Sequence, residues 1–478
     1  MIITGFSLML FLAMVGAGVD MATAHLAKER MQNACDAGVL GARQKMEGNV
    51  WAQSVEAEAN KYFNFNFQKN SFGSRDIVFT VNQNPKDKAE LIGHAAASVP
   101  TNIMRIFGYN EISITADCNA KRDLGNNDVM LVLDVTGSMN DAPSGGGASK
   151  ISRLRSAAVS LYRALEDSNG SVTRFGIMPY SHTVNVARSL SNNDFLATQS
   201  YVHRERVCNW WGCTYQWKSK TVPIAESSWG KSWKSEEDNI LAFRTSGNGC
   251  VEERSSVGEN SSNGFDIIIR ESVSEEDVDD RATSSSDNDL QFGRYDPSLQ
   301  EGESQDGCPS EASRLAVYST ESSFQSAVNL ATSRVTGGTY HDVGLLWGLR
   351  FLSGTGWFAA DNPSAIRGVP VKRHIVFMTD GKLDTGSKLY SADGVQEYQG
   401  RVRGAGNLDG IHLERFRQIC QLAKQQATVW IIALDVTDVD DIRPCATSAS
   451  QFYISNGDDL DEVFKAIGQG IGNLRLTK

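Results

Sequence analysis

One carboxylate and two hydroxyls stand at alternate positions in the segment Asp134-Val-Thr136-Gly-Ser138. They follow directly on Val129-Met-Leu-Val-Leu133, a short, continuous, β-prone apolar run of the kind buried in a parallel sheet. Oxygen ligands at the carboxyl end of such a strand suit a hard divalent cation. Two later segments carry similar groups. Gly337-Gly-Thr339-Tyr-His-Asp342 is a Gly-rich turn leading into an expected helix over 343–352, and Met378-Thr-Asp380-Gly381 ends the apolar run 374–378. If all three reach one crevice, Asp134, Thr136, Ser138, Thr339 and Asp380 form a set of five oxygen-bearing side chains. Two carboxylates balance a divalent charge, and neutral hydroxyls leave the ion electrophilic. A water or a partner's carboxylate then fills the sixth octahedral position. Hydroxyl-rich octahedral sites favour Mg2+, with Mn2+ and Ca2+ as alternatives. His341 and Asp342 read as a helix start, Asp141 and Asp384 as solvated acids near the rim. The plainer alternative for the hydroxyls is helix capping.

The elements that must position these groups lie in residues 128–183 and 317–478, where strands and helices alternate. Ile151, Leu154, Ala158, Leu161 and Leu165 have helical spacing. Strands are expected over 174–178, 374–378 and 428–434, and helices over 413–426 and from Leu460 onward. This pattern predicts an α/β fold with a doubly wound, mainly parallel sheet. Residues 184–316 are polar, Ser-rich and acidic, and read as a large insertion at a loop. Within them, 251–290 hold twelve acidic residues against three arginines, so that stretch is expected as a solvated or poorly ordered run.

At the other end, residues 2–19 are apolar and uncharged, long enough to approach a membrane crossing. A retained anchor is preferred over a cleaved signal peptide, because helical character continues past Val19 with no small-residue cleavage site followed by a turn. Residues 1–65 are expected as one long helix, with Leu26, Met31, Ala34, Val39 and Leu40 on its amphipathic half. Residues 66–127 read as a small α+β unit and linker, with strands over 76–82, 90–99 and 111–117 and a short helix starting at Pro100. The chain of 478 residues carries a net charge of −11 and no basic stripe, which argues against nucleic acid as a partner.

The three oxygen-bearing segments resemble the metal-ion-dependent adhesion site of the von Willebrand factor A (vWA) domain family: Asp-x-Ser-x-Ser, a distant Thr, then Asp-Gly. Thr136 stands where that family has Ser, which keeps the hydroxyl and adds a methyl. The resemblance implies direct metal bonds from Thr136, Ser138 and Thr339, with Asp134 and Asp380 acting largely through water. The segments Val19-Asp-Met-Ala and Met31-Gln-Asn-Ala-Cys-Asp-Ala-Gly-Val-Leu-Gly-Ala42 resemble the anchor of TadG-like proteins of bacterial Tad (Flp) pilus assembly systems, in which a vWA domain follows. Trp347-Gly-Leu-Arg-Phe-Leu-Ser353 is similar to that family as well. The basic residues that usually precede the anchor are absent. For the eight cysteines, which permit 105 pairings, the expected bridges are Cys35–Cys118, Cys208–Cys213, Cys250–Cys308 and Cys420–Cys445.

The expectation is therefore a non-enzymatic envelope protein with a single-pass inner-membrane anchor and its bulk in the periplasm or outside the cell. Its metal would bind a carboxylate of a pilus or envelope component. A minor pilin-like subunit is the alternative. A metal-dependent hydrolase is the remaining reading, weakened by the absence of Walker A, His-Glu-x-x-His and Gly-x-Ser-x-Gly sequences.

Overall fold

The computed structural model describes residues 2–46, 51–88, 90–121, 125–166, 171–190, 195–197, 199–222, 248–259, 267–284, 287–297, 299–302 and 307–472. The chain divides into two units, one built mainly from Met1–Gly125 and the other from Asn126–Ser364 and Val371–Gly472.

In the first unit the expected single helix is two, α1 (Ile2–Lys45) and α2 (Gln53–Asn66). α2 buries Val55, Ala59 and Phe63 in the same core as α1. The strands β1 (Arg75–Gln83), β2 (Glu90–Pro100) and β3 (Glu111–Lys121) form an antiparallel sheet in that order. On β3 the inward positions Ile114, Ala116, Cys118 and Ala120 alternate with exposed ones, as a one-sided sheet requires. They meet Ala27, Met31, Ala34, Cys35, Val39 and Ala42 of α1. Small residues let the helix lie close: a Cβ on Gly93 would sit 2.5 Å from Val39. Leu26 and Leu40, expected on the packed face, are instead exposed. Pro100 ends β2, and the short helix begins at Met104 as a 3-10 turn. Asp20 accepts hydrogen bonds from the backbone N–H groups of Asn102, Ile103 and Met104, each at 2.8 Å. Those bonds hold its carboxyl below the usual value. Among the described residues no helix is long and apolar enough to cross a membrane. The side chains of residues 2–13, most of the expected span 2–19, lie outside the described residues.

The second unit is organised by a mixed sheet. Its strands are β4 (Asn126–Asp134), β5 (Thr173–Tyr180), β8 (Ser313–Ala316), β9 (Val369–Thr379), β10 (Thr428–Leu434) and β11 (Phe452–Ser455), in the order β8-β5-β4-β9-β10-β11. Neighbours in that order are parallel except the edge strand β8, and a seventh, two-residue strand, Ala365–Ile366, pairs antiparallel with the start of β9. Helices α3 (Lys150–Glu166), α4 (Glu321–Ala331) and α7 (Leu460–Gly472) cover one face; α5 (His341–Leu352) and α6 (Leu408–Gln426) cover the other. Along β4 the division is strictly alternate. Val129, Leu131 and Leu133 pack with α3 and α7, while Met130 and Val132 pack with α5. The chain leaves β4 in one direction to β5 and later fills the other side with β9. The topological switch therefore falls between β4 and β9, where ligands bind in such sheets.

Between β5 and β8 lies the segment read as an insertion. It contains a long antiparallel ribbon, β6 (Gln199–Asn209) with β7 (Gly212–Val222). Its acidic part departs from expectation. Glu252, Glu253 and Arg254 are buried. Arg401 Nη1 donates to Glu252 at 2.7 Å, and both terminal nitrogens of Arg350 donate to Glu253, at 2.9 and 3.0 Å. Burial pushes the Glu253 carboxyl up, but Arg350 and Arg254 outweigh it and leave it below its ordinary value. Composition registered the acids of this run; their counter-charges come from more than ninety residues away. All four expected disulfides are present.

Candidate metal centre

Asp134 is the last residue of β4, and Asp380 follows directly on β9, the adjacent parallel strand. Both carboxylates are buried. Asp134 Oδ1 accepts from the Thr136 N–H at 2.9 Å and from Thr136 Oγ1 at 2.6 Å. Ser138 Oγ donates to Asp380 Oδ1 at 2.8 Å. Each hydroxyl can donate its only hydrogen to a carboxylate. Their oxygens lie 3.2 Å apart, close enough for either to donate to the other instead. Oxygens grouped in this way could hold a hard cation.

The spacing also fits. In an octahedron with metal–oxygen bonds of about 2.1 Å for Mg2+ or about 2.4 Å for Ca2+, adjacent oxygens lie about 3.0 or 3.4 Å apart. The Thr136–Ser138 separation falls between these and accommodates either ion. The turn that precedes Thr339 is fastened to the first loop through its backbone. Gly137 N–H donates to the Gly337 carbonyl at 3.2 Å, and Thr336 N–H to the Val135 carbonyl at 2.8 Å, tying the Gly-rich turn onto the first loop. The Thr339 carbonyl accepts from Asp384 N–H at 3.0 Å, and its side chain is buried. Gly337 has φ +82, and a Cβ there would also meet the His182 ring at 2.7 Å. Among the described residues no group of three or more His, Cys, Asp or Glu is placed to hold a metal. Hydroxyls must therefore supply part of any coordination here.

Electrostatics point the same way. Burial, and then the charge of Asp380, push the Asp134 carboxyl up to about 6, against the hydrogen bonds from Thr136 and Thr379. Burial and the charge of Asp134 push the Tyr180 phenol well up, so it stays protonated.

Three supporting residues were not singled out in the sequence. Thr379 Oγ1 donates to Asp134 Oδ2 at 2.7 Å and contacts His341 Nε2 at 3.0 Å. Alternation could have found it, since Ile375, Phe377 and Thr379 share the face on which Met130, Val132 and Asp134 lie. Lys150 Nζ donates to Asp380 Oδ2 at 3.0 Å and lies 3.8 Å from Asp435. Neither Lys150 nor Asp435 has a spacing cue, because a Gly-rich loop precedes one and nearly three hundred residues separate them.

The remaining candidates separate cleanly. His341 and Asp342 open α5. Burial pulls the His341 imidazole down to about 4, so it is neutral near pH 7. Asp342 accepts from His412 Nδ1 at 2.9 Å and Arg415 Nε at 3.1 Å, an ion-pair role inside the fold. Asp141 and Asp384 are exposed.

The comparisons with known proteins divide along the chain. Residues 1–45 match the family described as putative Flp pilus-assembly TadE/G-like. No functionally curated protein matches the chain in sequence. Among solved structures it is similar to the pilus adhesin SpaC from Lactobacillus rhamnosus GG, at 10% identity and a TM-score of 0.36. That match covers 83% of this chain and only 34% of the adhesin, so the chain spans about a third of that protein's length. The vWF domain of the type V pili tip protein Mfa5 from Porphyromonas gingivalis is similar at 10% identity and a TM-score of 0.32, covering 73% of this chain and 95% of that one. The PilB minor pilin from Streptococcus sanguinis is similar at 10% identity and a TM-score of 0.29, covering 84% and 78%.

Proposed function

We propose that this chain is a non-enzymatic, pilus-associated protein of the bacterial cell envelope, anchored by residues 2–19. Its second unit acts as a vWA-type domain that binds a protein partner through a divalent cation, Mg2+ first among the candidates. Thr136, Ser138 and Thr339 would hold the ion directly, with Asp134 and Asp380 behind them. The observation that carries this reading is the pair of hydroxyl oxygens 3.2 Å apart, each within hydrogen-bond distance of one of two buried carboxylates. The ion supplies an electrophilic position for a partner's Asp or Glu. The chain's own residues orient the donors: Thr379 fixes Asp134, and Lys150 fixes Asp380. The family match over residues 1–45 supports the pilus-assembly setting. The test is crosslinking in cells. A neighbour captured by the wild type should be lost in Asp134→Ala and in chelator, while the domain stays folded. An unchanged set of neighbours in both conditions would sink the reading.

A second reading, a minor pilin-like subunit, is favoured by the long α1 helix packed on a small antiparallel sheet. Recovery of the chain in sheared filaments, instead of membranes alone, would select it.

A further inference from the structure

The β6–β7 ribbon ends in two tryptophans. Cys208 pairs with Cys213 and Asn209 with Gly212, so Trp210 and Trp211 form the two-residue loop, 100% and 96% exposed. The disulfide between Cys208 and Cys213 clamps the last rungs, and Trp211 N–H donates to Asn209 Oδ1 at 2.9 Å. Such loops are normally made by Asn, Asp and Gly. The indoles contribute nothing to the turn and hold a large apolar surface in water. At the base, Tyr201 and Val202 are buried, and midway along the ribbon Trp217, opposite Arg204, stacks on Tyr398 with centroids 3.6 Å apart. Beyond Val202 most positions on both strands are exposed. A bare two-stranded ribbon is marginal in water; here the disulfide at the tip, the stacked Trp217 midway and the buried Tyr201 and Val202 at the base hold it.

Its charge opposes that of the chain. Residues 199–222 carry Arg204, Arg206, Lys218 and Lys220 against Glu205 alone, in a protein of net charge −11. Lys218 pairs with Glu205, and Arg204 lies over Trp217. Arg206 and Lys220 are exposed. Arg206 stands three residues behind the loop, roughly 10 Å.

We infer that this ribbon is a lipid-contacting probe whose indole tip enters the interfacial layer of a bilayer containing anionic phospholipid. A convex tip suits a fluid layer, whereas a sugar or peptide needs a concavity. Indoles settle at the headgroup level, and the arginine just behind them, Arg206, meets lipid phosphates. The disulfide orders the tip before contact, so little freedom is lost on insertion.

The test uses the full chain held in phosphatidylcholine nanodiscs, so that its apolar amino-terminal segment is occupied, mixed with separate vesicles. Vesicles of phosphatidylcholine with phosphatidylglycerol should be captured well, and vesicles of phosphatidylcholine alone weakly. Trp210→Ser/Trp211→Ser should reduce capture by roughly tenfold or more. Because both side chains lie in solvent, that variant keeps its fold, which circular dichroism checks. Arg206→Gln should weaken capture roughly fivefold, and only for the anionic vesicles, whereas Lys220→Gln, at the base opposite Tyr201, should change it much less. Equal capture of wild type and the double tryptophan variant would overturn the inference. So would equal capture of both vesicle types, or no capture of either.

Discussion

The two ends of β4 carry the same residue in the same burial and treat it oppositely. Asp128 and Asp134 are both 0% exposed. Asp128 receives a bidentate pair from Arg174, Nε at 2.7 Å and Nη2 at 2.6 Å. Asp134 receives only neutral donors, with a second carboxylate close enough to raise it further. At the amino end the charge is matched within the fold. At the carboxyl end Lys150 meets Asp380 but is shared with Asp435, so one ammonium serves two carboxylates and none is left for Asp134. Burial alone does not distinguish the two acids; the completeness of their counter-charge does.

The largest expected effect is at the matched end. Asp128→Ala leaves the Arg174 guanidinium near the core without its partner, which costs about 3–5 kcal/mol. Urea denaturation should give a lower midpoint with an unchanged slope. A loss below about 1 kcal/mol would erase the contrast.

Asp134→Asn should behave in the opposite sense. It removes a carboxylate whose ionisation is opposed by burial, so in chelator the variant should be as stable as wild type, or more stable by up to about 3 kcal/mol. Its Mg2+ affinity by calorimetry should fall by roughly a hundredfold, the loss of a buried charge from the site. Marked destabilisation without metal would mean that this end is structural too.

Acidity sharpens the comparison further. The folded value of Asp134, about 6, lies above its ordinary 3.8. Between these values the native state holds more protons than the unfolded one, so without metal this group's contribution to stability falls as pH rises through that window. Metal requires the ionised form, so its stabilisation should grow over the same range. At a Mg2+ concentration of 100 times Kd, the gain should be about 2.7 kcal/mol at pH 7.5 and distinctly smaller at pH 5. Melting temperatures with and without Mg2+ at the two pH values check it.

What the sequence disclosed follows from how far each signal reaches. The runs 129–133 and 428–434 were legible because continuous apolar runs survive intact when both faces are covered. Asp134, Thr136 and Ser138 were legible because they lie within five residues, and Asp380 because it ends such a run. The helix break before Gln53 was not, since α2 continues an amphipathic pattern and only its packing beside α1 reveals the reversal. The ordered acids Glu252 and Glu253 were misread because Arg350 and Arg401 are remote in sequence. Lys150 escaped for the same reason.

Lys150 offers the smallest and most discriminating prediction. Its ammonium lies 3.0 Å from Asp380 and partly neutralises the charge a metal would balance. In Lys150→Met that charge is unmatched, and a divalent ion meets no repulsion from a neighbouring cation. Mg2+ affinity should therefore rise, by roughly threefold to tenfold at an effective dielectric typical of a partly screened pair. If Lys150 serves mainly to aim Asp380 Oδ1 toward Ser138, affinity should fall instead. The sign of the change in calorimetry separates charge balance from orientation. A rise would extend the contrast along β4, because the carboxyl end would then hold a cation of its own that weakens, without replacing, binding of the proposed divalent ion.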